Sequence, residues 1–209
     1  MKWTLFYTFA FLLGVVLAWL GQTFWIGIII LCFVMTGYIF DFLYTLYGTT
    51  NLERVEKFIM KKKKEPIYHF VYSQAFGSVE DQLKSIEQIL SKYKQPHIRH
   101  YYQAIRAYLK EDYQLALQEV EFINKHPIKN YTKAFIYAAM GEKEQSLDIP
   151  LEKNWMKEAV LAMIAYKEKN PQSFRKHSLN AIEGAKGIQR YSLNASFNAL
   201  ENQLNHANY

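Results

Sequence analysis

The side chains whose types could do chemistry are six histidines, one cysteine, one carboxylate inside an apolar run and a row of basic residues. His97 and His100 stand three apart, a spacing that puts two imidazoles on one helix face and that some metal sites use. No third ligand is placed beside them by sequence, so packing or surface histidines are expected, with no metal and no other cofactor. His126 precedes Pro127 in an expected loop, and His69 lies among aromatics; neither has a nucleophile or acid partner that sequence can place. Cys32 sits in an apolar run where a thiolate would be poorly solvated, so it reads as a small packing residue. A single cysteine excludes an intramolecular disulfide or a multi-cysteine zinc site, and nine scattered glycines form no phosphate-cradling loop. No Ser, Cys or paired-carboxylate constellation stands out, and the chain is read as non-enzymatic.

What Asp41 could do depends on the element that carries it. The chain has 209 residues, half of them hydrophobic, and a mean hydropathy of −0.18. That average hides a division. Residues 1–50 hold only two charged side chains, Lys2 and Asp41, whereas the following 159 positions hold 42, an ordinary globular density. Two apolar runs, 3–20 and 24–47, are each of membrane-crossing length, since eighteen helical residues span about 27 Å. A cleaved signal peptide is the rival reading of the first run. Its end, Ala18-Trp19-Leu20-Gly21-Gln22, lacks the small residues a cleavage site needs, so residues 1–48 are expected to form a two-helix transmembrane hairpin. Ala10, Gly14 and Ala18 recur every fourth residue, a stripe that lets helices approach closely in lipid. Basic residues flank only the outer ends of the pair, Lys2 on one side and Arg54, Lys57 and Lys61 to Lys64 on the other. Both termini are therefore expected in the cytoplasm of a multi-pass membrane protein. Asp41, eighteenth from Phe24, falls near the cytoplasmic headgroups. An interfacial carboxylate is the expectation there, and a proton or ion relay is the alternative.

Residues 49–65 are expected to form a basic juxtamembrane amphipathic helix. Thr50 and Glu53 have the spacing of a capping box, and Leu52, Val55, Phe58 and Ile59 share one side. Lys57, Lys61, Lys62, Lys63 and Lys64 would contact anionic membrane lipid, each nearby Lys being attracted by about 1 kcal/mol. Nucleic acid is not expected as a partner, because residues 66–209 carry 18 basic and 15 acidic side chains, a near balance with no extended electrostatic footprint.

Beyond Pro66 the apolar residues recur at helical spacing, so the fold class is all-α. Ser78 to Asp81 forms a second capping box, followed by Val79, Leu83, Ile86, Leu90 and Tyr93 on one face. Pro66, Pro96 and Pro127 stand 30 and 31 residues apart, each where a helix begins or ends, and this period marks a helical solenoid. Between 97 and 127, Tyr101, Ala104, Ile105 and Tyr108, then Tyr113, Ala116, Val120 and Ile123, then Pro127, follow a two-helix pattern that resembles a tetratricopeptide repeat. Residues 66–209 are accordingly expected to be a tetratricopeptide-like α-solenoid of antiparallel helix pairs. A third unit runs from Ile128 to about Pro150, Trp155 to Tyr166 is apolar nearly all round, and Ile188 to Leu204 supplies a last helix closing the stack. The resemblance implies a concave groove beside the first helix of the repeat, lined here by Arg99, Tyr102, Arg106 and Lys110. Guanidinium forks there would take an acidic or C-terminal carboxylate peptide.

In outline the chain is similar to bacterial inner-membrane proteins that join a pair of transmembrane helices to tetratricopeptide repeats. That architecture implies a protein-protein interaction scaffold or adaptor that recruits a partner at the cytoplasmic face. The alternative is an accessory subunit of a membrane transporter or membrane enzyme complex, in which the hairpin and Asp41 make the functional contact.

Overall fold

The computed structural model describes residues 8, 9, 11, 12, 14–16, 18, 21 and 24–206. They form helices joined by short linkers, with no strand among the described residues. The chain divides into two compact units, Met1–Tyr44 and Thr45–Tyr209.

In the first unit the described residues between 8 and 18 are helical. Ala10 lies outside the described residues; Gly14 and Ala18 are exposed, and no heavy atom lies within 4 Å of where a Cβ on Gly14 would stand. Helix α1, Phe24–Tyr47, is the one helix among the described residues long and apolar enough to cross a membrane. Its 24 residues reach about 36 Å. Phe33, Phe40 and Trp25 stand at 81%, 71% and 70% exposure, so none of the three is covered by the described residues of this unit. Asp41 is also exposed.

The second unit takes in the last turn of α1 and ten further helices. These are α2 (Leu52–Lys62), α3 (Pro66–Phe76), α4 (Val79–Lys92), α5 (Pro96–Leu109), α6 (Tyr113–Glu121), α7 (His126–Met140), α8 (Lys143–Asp148), α9 (Asn154–Lys167), α10 (Pro171–Gly184) and α11 (Gly187–His206). Prolines open α3, α5, α7 and α10 at N1 or N2, where a missing N–H costs nothing. Ser78 closes its capping box with Asp81 at the start of α4. Gly141 ends α7 in the left-handed region at φ +85°. The cap of α2 departs from the expected one. Asn51, not Thr50, is the N-cap and accepts from the Arg54 amide, so Glu53 falls one position early and pairs with Lys57 instead.

Loops of a few residues join neighbours, which makes them antiparallel pairs: α3 packs on α4, α5 on α6, α7 on α8 and α9 on α10. The α9/α10 seam is lined by Ala159, Ala162, Ala165 and Ala181 around Phe174, small side chains that let two helices approach closely. α9 is buried on several sides, through Met156, Val160, Met163 and Ile164 as well. The last helix does more than close an open stack. Besides α9 and α10 it packs on α2 and α3, so Tyr191 shares a core with Val55, Ile59 and Val71, while Leu193, Phe197 and Leu204 join the α9/α10 core. The helical body therefore closes on itself.

Candidate functional site

The basic row on α5 is where the sequence expected a groove. Arg99 donates from Nη1 to the Leu90 carbonyl at 2.8 Å, satisfying an orphan acceptor near the C-terminus of α4. The Arg106 guanidinium approaches the Glu87 carboxylate at 3.6 Å. Tyr102 is 8% exposed and packs edge-on against Phe70 at 5.6 Å, and burial pushes its hydroxyl pKa upward. Three of the four side chains thus turn toward α3 and α4, and Lys110 alone of the four is classed as exposed. They are not brought together into one open binding surface.

The lysines of α2 are placed differently from one another. Lys57 pairs with Glu53, and Lys63 stands 5.5 Å from the Tyr72 ring centroid. Lys61, Lys62, Lys63 and Lys64 are all exposed at the C-terminal end of the helix. The apolar side of α2 is covered by the body, with Val55 at 1% and Ile59 at 0% exposure. With this side buried in its own domain, the helix presents Glu53, Lys57, Met60 and the lysines at its C-terminal end to solvent.

Histidines bridge helices. His100 on α5 meets Glu119 on α6 at 2.7 Å, with its ring stacked on Phe122. His177 on α10 meets Glu158 on α9 at 2.8 Å, and Asn180 donates to the same oxygen. Burial alone would raise Glu158, but the hydrogen bonds from His177 and Asn180 outweigh it and hold the carboxyl below its usual range. His69 Nδ1 lies 2.6 Å from Ser85 Oγ, a serine–histidine contact that sequence could not place because its members are 16 residues apart on different helices. Ser85 donates its proton to the Asp81 carbonyl, so the proton between the pair comes from His69. Ser85 is fully buried, and the contact ties α3 to α4. Among the described residues no group of three His, Cys, Asp or Glu side chains could hold a metal ion.

The inner side of α5, α7 and α9 carries an aromatic ladder. Tyr108 packs on Phe135 at 6.0 Å, Phe135 on Tyr131 at 5.8 Å and Tyr131 on Trp155 at 5.1 Å. Such pairs add about 0.5–1.5 kcal/mol each beyond area burial, which stiffens the stack along its length. Burial raises the pKa of the Tyr101, Tyr108 and Tyr131 hydroxyls, keeping them neutral.

Sequence reading missed the junction at the end of α1. Thr45, Leu46 and Thr49 are 4%, 8% and 3% exposed. Arg54 donates from Nε to Thr45 Oγ1 at 3.0 Å, and Thr49 Oγ1 accepts from the Asn51 amide at 3.1 Å. The Gly187 amide, 138 positions later, donates to the Thr49 carbonyl at 2.7 Å. A Cβ on Gly187 would stand 1.9 Å from the Leu46 oxygen, so only glycine fits. The first amides of a helix lack intrahelical partners, and the Thr49 carbonyl, in the linker just beyond the end of α1, satisfies the one that opens α11. The one clue in the sequence was a glycine opening a helical run.

Comparison with known proteins finds no family model, no curated protein and no solved structure that matches this chain.

Proposed function

We propose that this chain is a membrane-anchored, non-catalytic interaction scaffold whose helical body organises a protein partner at the cytoplasmic face. The observation that supports it most is the conjunction of α1, apolar and of membrane-crossing length, with a body made wholly of packed helix pairs. In this reading residues 3–20 and α1 form a hairpin, and the basic residues on its outer flanks put both termini inside. The body is a tetratricopeptide-like repeat domain closed by α11. Lys61 to Lys64 meet anionic lipid, and the exposed faces of the repeats, with Lys110 at the end of α5, meet the partner. Non-catalysis is supported by the structural engagement of the polar pairs: Ser85 is out of reach of any substrate, and the two histidine–glutamate contacts join helices.

The test is to replace residues 1–44 by an unrelated two-helix anchor, leaving the buried Thr45, Leu46 and Thr49 of the body in place, and crosslink in intact membranes. A scaffold captures the same neighbours with either anchor. Loss of those neighbours on the swap, with the body still folded and membrane-bound, would transfer the function to the hairpin and Asp41.

A further inference from the structure

Within the helical body the antiparallel pairs sort charge by turn. α3, α5 and α7 run out to a turn and the helices after them run back, so successive turns alternate between the two ends of the pairs. The outgoing turns and the helix starts beyond them carry acids: Glu80 and Asp81, then Glu111 and Asp112, then Glu142 and Glu144, with Lys110 and Lys143 the cations among them. The return turns carry lysines. Lys61 and Lys62 end α2 and Lys63 and Lys64 follow it, Lys92 ends α4 and Lys94 follows it, and Lys125 stands just before α7. The near balance of 18 basic and 15 acidic side chains in residues 66–209 therefore hides a separation that the pairing of the helices produces.

The return turns are neighbours. Lys92 at the end of α4 pairs with Glu65 in the α2–α3 turn, and Arg99 in the first turn of α5 holds the Leu90 carbonyl near the end of α4. The His100 ring stacks on Phe122 at 5.0 Å, which sets the α6–α7 linker against the beginning of α5. Each acid on this edge is already held: Glu65 by Lys92, Glu119 by His100, and Glu121 by Lys129 and Lys133, whose hydrogen bonds keep its carboxyl below the usual range. Lys61, Lys62, Lys64, Lys94 and Lys125 are exposed, and no carboxylate pairs with them among the described residues. Phe122 stands on the same edge at 59% exposure.

We propose that the α2–α3, α4–α5 and α6–α7 turns form one cationic edge that takes an anionic lipid surface, with Lys94 and Lys125 acting together with Lys61 to Lys64; this rests on the reading of the chain as membrane-anchored with its body on the cytoplasmic side. Among polyanions, an anionic leaflet is the one that such an anchor itself supplies, since a tether holds the body at high local concentration beside it however the body is turned. Each lysine brought to that surface strengthens the contact about fivefold, so two from separate turns strengthen it roughly thirtyfold over the α2–α3 turn alone. The Phe122 ring enters the headgroup layer, the depth that aromatic rings favour. Charge drives the contact, so it requires anionic lipid and fades as salt screens it.

Single cysteines placed at Gln95, Asn124, Gln145 and Phe33 in the full chain carrying Cys32→Ser, labelled with a fluorophore, test this in vesicles containing spin-labelled lipids. Gln95 and Asn124 are exposed neutral residues on two of the return turns, Gln145 is exposed beyond an outgoing turn, and Phe33 reports the span. Headgroup spin labels should quench positions 95 and 124 well beyond position 145 when phosphatidylglycerol is present, and not in phosphatidylcholine alone. Salt at about 1 M, where the Debye length is about 3 Å, should remove the difference. Lys94→Gln combined with Lys125→Gln should weaken the contact equilibrium roughly thirtyfold; unchanged quenching in that variant would leave the contact to Lys61–Lys64 alone and overturn the three-turn edge. If deep labels quench position 33 while 95 and 124 match 145 in both lipids, the edge contact is overturned and the span stands. If position 33 is not quenched, the span reading falls and the edge falls with it. Quenching at 95 and 124 in phosphatidylcholine alone overturns the electrostatic mechanism. Fluorescence at 95 and 124 that responds to added poly-glutamate but not to phosphatidylglycerol overturns the lipid assignment and gives the edge to an acidic protein segment.

Discussion

Gly187→Ala is the sharpest single perturbation of this structure. The residue lies at φ +56°, where an L side chain costs about 1–2 kcal/mol. The added methyl would also sit 1.9 Å from the Leu46 oxygen, 2.3 Å from its carbon and 2.7 Å from the Tyr47 nitrogen, and backbone cannot rotate aside as a side chain can. The seam must open, losing the 2.7 Å bond to Thr49, worth about 0.5–1.5 kcal/mol net. Loosened packing of Ile188 and Tyr191 against Val55 and Ile59 adds to this. A total of roughly 3 kcal/mol lowers Tm by about 6–12 °C for a chain of this size. Gly141→Ala is the matched control: its φ is +85°, but no atom lies within 4 Å of the new Cβ, so it carries the conformational strain alone. Both variants are to be unfolded as full chains in detergent, with hydrogen exchange followed at 45–49 and 187–191. Exchange there should rise for Gly187→Ala only. Equal Tm losses for the two variants, or unchanged exchange at both segments, would refute the close approach and with it the closure of the body by α11.

Asn51→Ala should destabilise by about 1 kcal/mol through loss of the α2 cap, whereas Thr50→Ala should be near neutral, as read by denaturant midpoint. The reverse ranking would restore Thr50 as the cap. Glu158, held below its ordinary value in the fold, contributes stability that is fully present above the ordinary carboxylate value and is lost as pH falls through the folded one. Glu158→Gln should therefore flatten the acid limb of the stability curve below about pH 4.5; an unchanged limb argues that His177 and Asn180 do not hold the charge.

The local grammar of the body was legible. Pro66, Pro96 and Pro127 mark helix starts because proline's fixed φ and missing N–H suit the first turn and nowhere further in. The Ser78–Asp81 box depends on contacts within four residues, and the apolar run of α9 predicted burial on several sides because little in it suits water. The candidate groove was legible only as a spacing. Arg99, Tyr102 and Arg106 do share a side of α5, but which neighbour that side meets depends on how α3 and α4 pack, and those helices engage all three.

The sequence by itself determined the division into an apolar run of membrane-crossing length and a charged all-helical body, because hydropathy and helical period are properties of neighbouring residues. Tertiary structure alone decided the rest: that α11 returns to α2 and α3, that Gly187 must be glycine, and that Val79 stands outside the core its register suggested. Each of these follows from surfaces brought together across a long stretch of chain. Periodicity tells which side of a helix is apolar, but only packing decides what covers it.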